Sequence, residues 1–204
     1  MRSLSISATV FALAFTLANA HAAVLVSSTF DSGDEGWASF SFAGGATPDF
    51  SGAFGGAGSV NFVGTSGNPA GSIERVDPDN GWQYFVAPPA FLGDQILSLG
   101  GALTFQQERR DNLVLASATP SALAAFSDGT TLLVYANAAS APSAGAWTNY
   151  RVSLDAGAAG WFVGSAGGAA ATPEQLQRVL GNLSQLMIAG EWFDGAVSTG
   201  QPET

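Results

Sequence analysis

The chain has 204 residues, 47% of them hydrophobic, which is enough to bury one sizeable core. Its 16 carboxylates face 6 basic residues, all arginine, and the formal charge of -10 repels nucleic acid and anionic lipid. The absence of cysteine excludes a disulfide framework, a thiolate nucleophile and a Cys-type zinc site, so packing must hold the fold, helped at most by an oxygen-ligated ion.

The first 22 residues have the form of a secretory signal peptide. Arg2 is followed by an apolar run from Val10 to Ala18 and by the small-residue triplets Ala18-Asn19-Ala20 and Ala20-His21-Ala22. The run is too short to span a bilayer, so cleavage after Ala20 or Ala22 is expected and residues 23–204 form one exported domain. Cleavage after Ala22 also removes His21, the only histidine. A mature chain with neither His nor Cys lacks the commonest general base and the commonest nucleophile.

From there the chain alternates short apolar and polar runs with clusters of Gly, Asp, Asn, Pro and Ser, the pattern of an all-β sandwich. Strands are predicted near Val24–Ser28, Trp37–Phe42, Ser59–Val63, Ser72–Val76, Gln83–Ala87, Ala102–Arg109, Leu113–Ala116, Thr131–Ala136, Thr148–Leu154 and Gln185–Trp192. Between the fourth and fifth of these, Asp77-Pro78-Asp79-Asn80-Gly81 carries turn chemistry, and a hairpin is expected across it. Period two is clearest where Leu103 and Phe105 alternate with Thr104, Gln106 and Glu108, and where Tyr150, Val152 and Leu154 alternate with Asn149, Arg151 and Ser153. The first set in each strand is assigned to the core and the second to water. Gly-rich Ala43–Gly58 and the shorter Ala138–Gly145 read as loops.

One segment departs from the β pattern. Thr172-Pro173-Glu174-Gln175 is a capping-box start with proline at the first helical position, and Leu176, Val179, Leu180 and Leu183 follow at helical spacing. A short amphipathic helix is expected from Pro173 to about Leu180, stopping at Gly181 and closing an end or flank of the sandwich.

Several motifs resemble the laminin IV (laminin B) domain and the bacterial secreted proteins that carry single copies of it. They are Gly67-Asn68-Pro69-Ala70-Gly71-Ser72-Ile73, Phe85-Val86-Ala87-Pro88 with Phe91-Leu92-Gly93-Asp94, and Gly101-Ala102-Leu103-Thr104-Phe105. The resemblance continues through Trp147, Tyr150, Val152, the helix, and Leu183 to Glu191. It implies a jelly-roll β-sandwich akin to galactose-binding and carbohydrate-binding modules, an extracellular adhesive or binding role, and no catalysis. Two departures qualify it. The cysteine-rich modules that flank laminin copies are missing, so network assembly is not implied. The family's closing strand, of the Gly-Leu-Asp-Asn-Val type, has no counterpart in Ser198–Thr204. The expectation is a domain short of its last strand, with an edge prone to self-association.

Candidate sites are few. Asp31, Asp34 and Glu35 place three carboxylates in a Gly-containing loop, the oxygen-rich setting a structural calcium ion favours. A solvated acidic turn is the simpler reading, since the spacing matches no EF-hand pattern. For glycans, Trp82, Trp161 and Trp192 at turns or strand ends, with Asn80 nearby, offer aromatic faces beside polar groups, while Trp37 and Trp147 are assigned to the core. An enzyme would need a carboxylate pair across a cleft, and Glu108 with Asp111 or Glu191 with Asp194 are the nearest in sequence. Neither belongs to the dense Glu-x-Asp-x-x-Glu strand of jelly-roll glycosidases. The expected protein is a secreted, non-catalytic binding or adhesion module for extracellular glycan or matrix. The alternative from another class is a cell-surface structural protein that has lost its anchor segment.

Overall fold

The computed structural model describes residues 24–42, 58–76, 82–109, 120–192 and 202–203. The expected signal peptide, the expected Asp77–Gly81 turn with Asn80, the expected strand at Leu113–Ala116, and Asp111 and Asp194 lie outside them. Eleven strands and one α-helix are described: β1 (Ala38–Ser41), β2 (Asn61–Val63), β3 (Ser72–Val76), β4 (Gln83–Val86), β5 (Ala102–Gln107), β6 (Ala122–Ser127), β7 (Leu132–Ala136), β8 (Thr148–Ser153), β9 (Trp161–Val163), α1 (Pro173–Gly181), β10 (Gln185–Ala189) and β11 (Pro202–Glu203). They make a β-sandwich. One layer is a six-stranded antiparallel sheet in the order β1-β4-β10-β6-β7-β9. The other is in two pieces, a three-stranded sheet β11-β3-β2 and the antiparallel pair β5-β8.

The central strands of the large sheet are covered on both faces. Ala122 to Phe126 of β6 are all buried, as are Gln83, Tyr84 and Phe85 of β4 and Leu186 to Ala189 of β10. A strand dry on both sides needs no polar alternate, so β6 reads Ala-Leu-Ala-Ala-Phe-Ser. Its alanines let neighbours approach, and the Tyr84 hydroxyl donates to the Ala122 carbonyl at 3.0 Å. Burial pushes the Tyr84 phenol well above its ordinary range, a tendency that this hydrogen bond opposes only in part. The smaller pieces follow the expected alternation: Val152 and Tyr150 are buried, while Asn149, Arg151, Thr104 and Gln106 are exposed.

Two expectations are corrected. Residues 24–28 form no strand; the segment is tied by the indole N–H of Trp37 donating to Ser28 Oγ at 2.8 Å. The expected hairpin between β3 and β4 does not form either, because β3 pairs with β2 and β11 whereas β4 pairs with β1 and β10. Turn chemistry reports that the chain reverses. Which ladder each arm joins depends on the surface each must bury, and β4, with three of four residues buried, is inserted between β1 and β10 in the large sheet.

Helix α1 matches its sequence signature. Thr172 accepts from the backbone N–H of Gln175 at 3.3 Å, and Gln175 Oε1 accepts from the N–H of Thr172 at 2.8 Å. Leu176, Val179 and Leu180 are buried, and the helix packs beside β7 and the short 3-10 turn Ile96–Ser98. Arg178 fastens the helix to the β6–β7 turn, donating to Thr131 Oγ1 at 2.6 Å and pairing with Asp128 at 3.5 Å. The Asp128 side chain is 6% exposed. Its desolvation favours the neutral acid, but the N–H groups of Thr131 and Thr130, at 2.6 and 2.8 Å, and the guanidinium outweigh this and hold the carboxyl below its ordinary value. A lowered folded-state pKa contributes stability that is complete above the unfolded carboxyl's value of about 3.9 and is lost as pH falls through the folded one. Urea denaturation from pH 6 down to pH 2 is therefore expected to show a loss of stability below about pH 4 that Asp128→Asn reduces.

Candidate functional site

The division of the second layer leaves a cleft. It has a volume of about 1040 Å³ and is lined by the Val24–Phe30 segment, the Gly67–Ile73 loop and strand start, and β5 with part of β8. Its floor reaches the six-stranded sheet at Phe85, Phe126, Leu186 and Ile188. Val24, Leu25 and Leu97 stand exposed among its lining residues. An apolar floor with polar side walls is the usual make-up of a ligand site.

The polar wall comes from the solvent face of β5-β8. In this register Thr104 lies opposite Arg151 and Gln106 opposite Asn149, so four polar side chains share one face and all are exposed. Gln106 Nε2 donates to Asn149 Oδ1 at 2.8 Å, which fixes the orientation of both amides. Trp147 lies just before β8, half-buried, and lines the same cleft. The assignment of Trp147 to the core is thus corrected.

Behind this wall the pair is anchored from its buried face. Gln107 is 3% exposed; its Nε2 donates to the Ala189 carbonyl, and its Oε1 accepts from the Trp192 indole at 2.7 Å. The rings of Tyr150 and Trp192 stack at 4.9 Å, and those of Phe105 and Tyr150 at 5.4 Å. The Tyr150 hydroxyl donates to the Ser140 carbonyl at 3.0 Å, and desolvation pushes the phenol up to about 12 against the lowering effect of Thr148. The exposed polar face is therefore carried on a rigid base.

The tryptophans proposed from sequence as a glycan platform lie elsewhere. Trp82, Trp161 and Trp192 are 9%, 3% and 4% exposed and belong to the core, where a sugar ring cannot reach their faces. Trp161 packs edge-on against Phe126 and Tyr135, and its N–H donates to the Ser153 carbonyl at 2.8 Å. A large ring with one polar atom gains most by burial when that atom finds a carbonyl, and both Trp161 and Trp192 find an oxygen acceptor.

The acidic loop is also organised differently from a calcium site. Glu35 Oε1 accepts from the backbone N–H groups of Thr29 and Phe30 at 3.1 and 2.6 Å. Asp31 accepts from Thr29 Oγ1 at 2.8 Å, and Asp34 from the Gly36 N–H at 2.9 Å. The carboxylates are turned onto their own loop, and among the described residues no group of three or more Asp, Glu, His or Cys side chains is placed to share an ion. Glu35 instead supports Phe30, which holds the uncommon φ of 54°. That conformation turns the Phe30 ring to an edge-on contact with Trp37, 6.4 Å between centroids, on the cleft side.

Of the residues weighed for catalysis, Glu191 is 1% exposed and accepts from the Gln83 N–H at 2.9 Å, a structural bond within the sheet. Neither it nor Glu108 lines the cleft.

The family model for Laminin B (Domain IV) matches residues 84–200, from β4 onward; the Gly67–Ile73 motif precedes the match. No curated protein matches the chain. Among solved structures it is similar to the L4b domain of human laminin alpha-2, with 18% identity and a TM-score of 0.44 over 59% of this chain and 65% of that one. The chain thus spans slightly less than two thirds of that structure's length. Among the described residues no helix is long and apolar enough to cross a membrane.

Proposed function

Since the chain belongs to the laminin B (domain IV) family, a family of structural modules of the extracellular-matrix type, we propose that it is a secreted, non-catalytic binding or adhesion module whose cleft takes an extended, hydroxyl-rich glycan. The observation that carries this reading is the solvent face of β5-β8, where Thr104, Gln106, Asn149 and Arg151 form a polar wall beside the half-buried Trp147. Amides and hydroxyls match sugar hydroxyls in donor and acceptor count, and an indole matches the C–H face of a pyranose. A binding role is favoured over turnover because, among the described residues, none of those lining the cleft is Asp, Glu or His, whereas glycoside hydrolysis needs two carboxyl groups flanking the bond.

A glycan array followed by calorimetry on the best ligand tests the reading. Trp147→Ala is expected to weaken binding about tenfold, the combined effect of lost ring contact and lost area. Gln106→Ala, at an exposed position that the fold does not depend on, is expected to weaken it severalfold. Silence across the array, or affinities unchanged in both variants, would refute the proposal.

A further inference from the structure

We infer that the glycan taken by the cleft is acidic, with a sugar carboxylate seated on Arg151; this deepens the binding role proposed above and rests on it. The inference comes from how charge is distributed. Among the described residues no Asp or Glu lines the cleft, and the only charged residue that does is Arg151. A cleft of an acidic protein that is lined by one cation and, among the described residues, by no carboxylate has the electrostatics of an anion site.

Arg151 is also available. Of the arginines in the described residues, Arg75 donates to the Ser59 carbonyl at 2.6 Å, Arg178 is held by Thr131 and Asp128, and Arg109 is engaged within the fold. The side chain of Arg151 alone makes neither hydrogen bond nor ion pair among the described residues, and it is exposed. Its neighbours on that face, Thr104 opposite and Asn149 and Ser153 along the strand, are uncharged. The first carboxylates farther along the two strands are Glu108 and Asp155, neither of which lines the cleft, and Asp155 is turned onto Ser153 Oγ at 2.7 Å. A guanidinium presents paired N–H donors that fit a planar carboxylate, and Thr104 and the Gln106–Asn149 amides are placed to bond the ring hydroxyls beside it. The net charge of the molecule disfavours long polyanions, so the fit is to a short acidic stretch of chain.

Calorimetry with trigalacturonate, and with the same trimer after its carboxyls are reduced to primary alcohols, tests this at fixed ionic strength. The acidic trimer is expected to bind at least about tenfold more tightly than its reduced form. Arg151→Gln is expected to remove that difference, and Arg151→Lys to restore part of it. Thermal unfolding of both variants serves as the control for folding. Equal binding of the two trimers, or a difference that survives Arg151→Gln, overturns the acidic ligand while leaving the glycan reading in place. Failure of both trimers alongside binding of a neutral oligosaccharide does the same, and failure of every saccharide overturns both.

Discussion

Replacing Trp192 by alanine is expected to cost about 3–5 kcal/mol, the largest single-site effect in the molecule. Three contributions meet at this side chain. Its ring is 4% exposed, it stacks on Tyr150 at 4.9 Å, and its N–H satisfies the buried Gln107 amide at 2.7 Å. Alanine leaves a cavity in the core and an unpaired Oε1 on a residue that is 3% exposed. Trp192→Phe separates the two effects, since it keeps most of the stacking but orphans Gln107, at a cost of about 1–3 kcal/mol. Urea denaturation at neutral pH measures both through the midpoint at constant slope. Because Gln107 and Tyr150 tie β5-β8 to β10, the alanine variant is also expected to loosen the cleft wall and reduce ligand affinity beyond what its global stability predicts. An alanine variant within 1 kcal/mol of the parent would show that the two layers are not joined through this residue.

Gly71→Ala is the second expected large effect, on the opposite wall. Gly71 has φ 115°, a conformation that L side chains rarely adopt, and a Cβ there would collide with the backbone carbonyl of Phe30. Backbone strain of this kind costs about 1–3 kcal/mol, and the collision adds to it because the obstacle is main chain that cannot rotate away. The Thr29–Phe30 segment must then move, and with it the bonds from Glu35 that hold Phe30 at positive φ. The expected result is a loss of about 2–4 kcal/mol in urea denaturation. Proteolytic cleavage between Val24 and Phe30 is expected to become faster as the segment detaches. Gly93→Ala is the matched control: its φ of 85° is strained, but a Cβ there meets nothing, so only the strain should register. Equal costs at the two glycines would show that Phe30 does not pack against this loop as described.

The parts of the fold legible in the sequence are those whose cause is local. Thr172, Pro173 and Gln175 lie within three residues of one another, and the capping bonds they make are fixed by that spacing, so α1 ended within a residue of its expected limits. In β5 and β8 the alternation of Leu103 and Phe105 with Thr104 and Gln106, and of Tyr150 and Val152 with Asn149 and Arg151, reported which face of each strand is dry. The polar wall of the cleft was therefore present in the sequence as two separate half-faces. β6 was missed for the complementary reason: with Ala122 to Phe126 all buried it has no alternation to detect, and its alanines carry helical propensity that burial overrides.

Pairing across distance was decided only in three dimensions. Gln106 and Asn149 are 43 residues apart, and no local pattern states that they share a hydrogen bond or that Thr104 faces Arg151. The same holds for β3 and β4, whose connecting turn chemistry suggested one ladder although each strand is buried in a different sheet. It holds also for the tryptophans, because an indole beside a turn can serve as core or as platform, and only the packing around Trp82, Trp161 and Trp192 selected the core and left Trp147 at the cleft. Periodicity fixes which side of a strand avoids water; which partner covers that side is set by the sum of contacts from the whole chain.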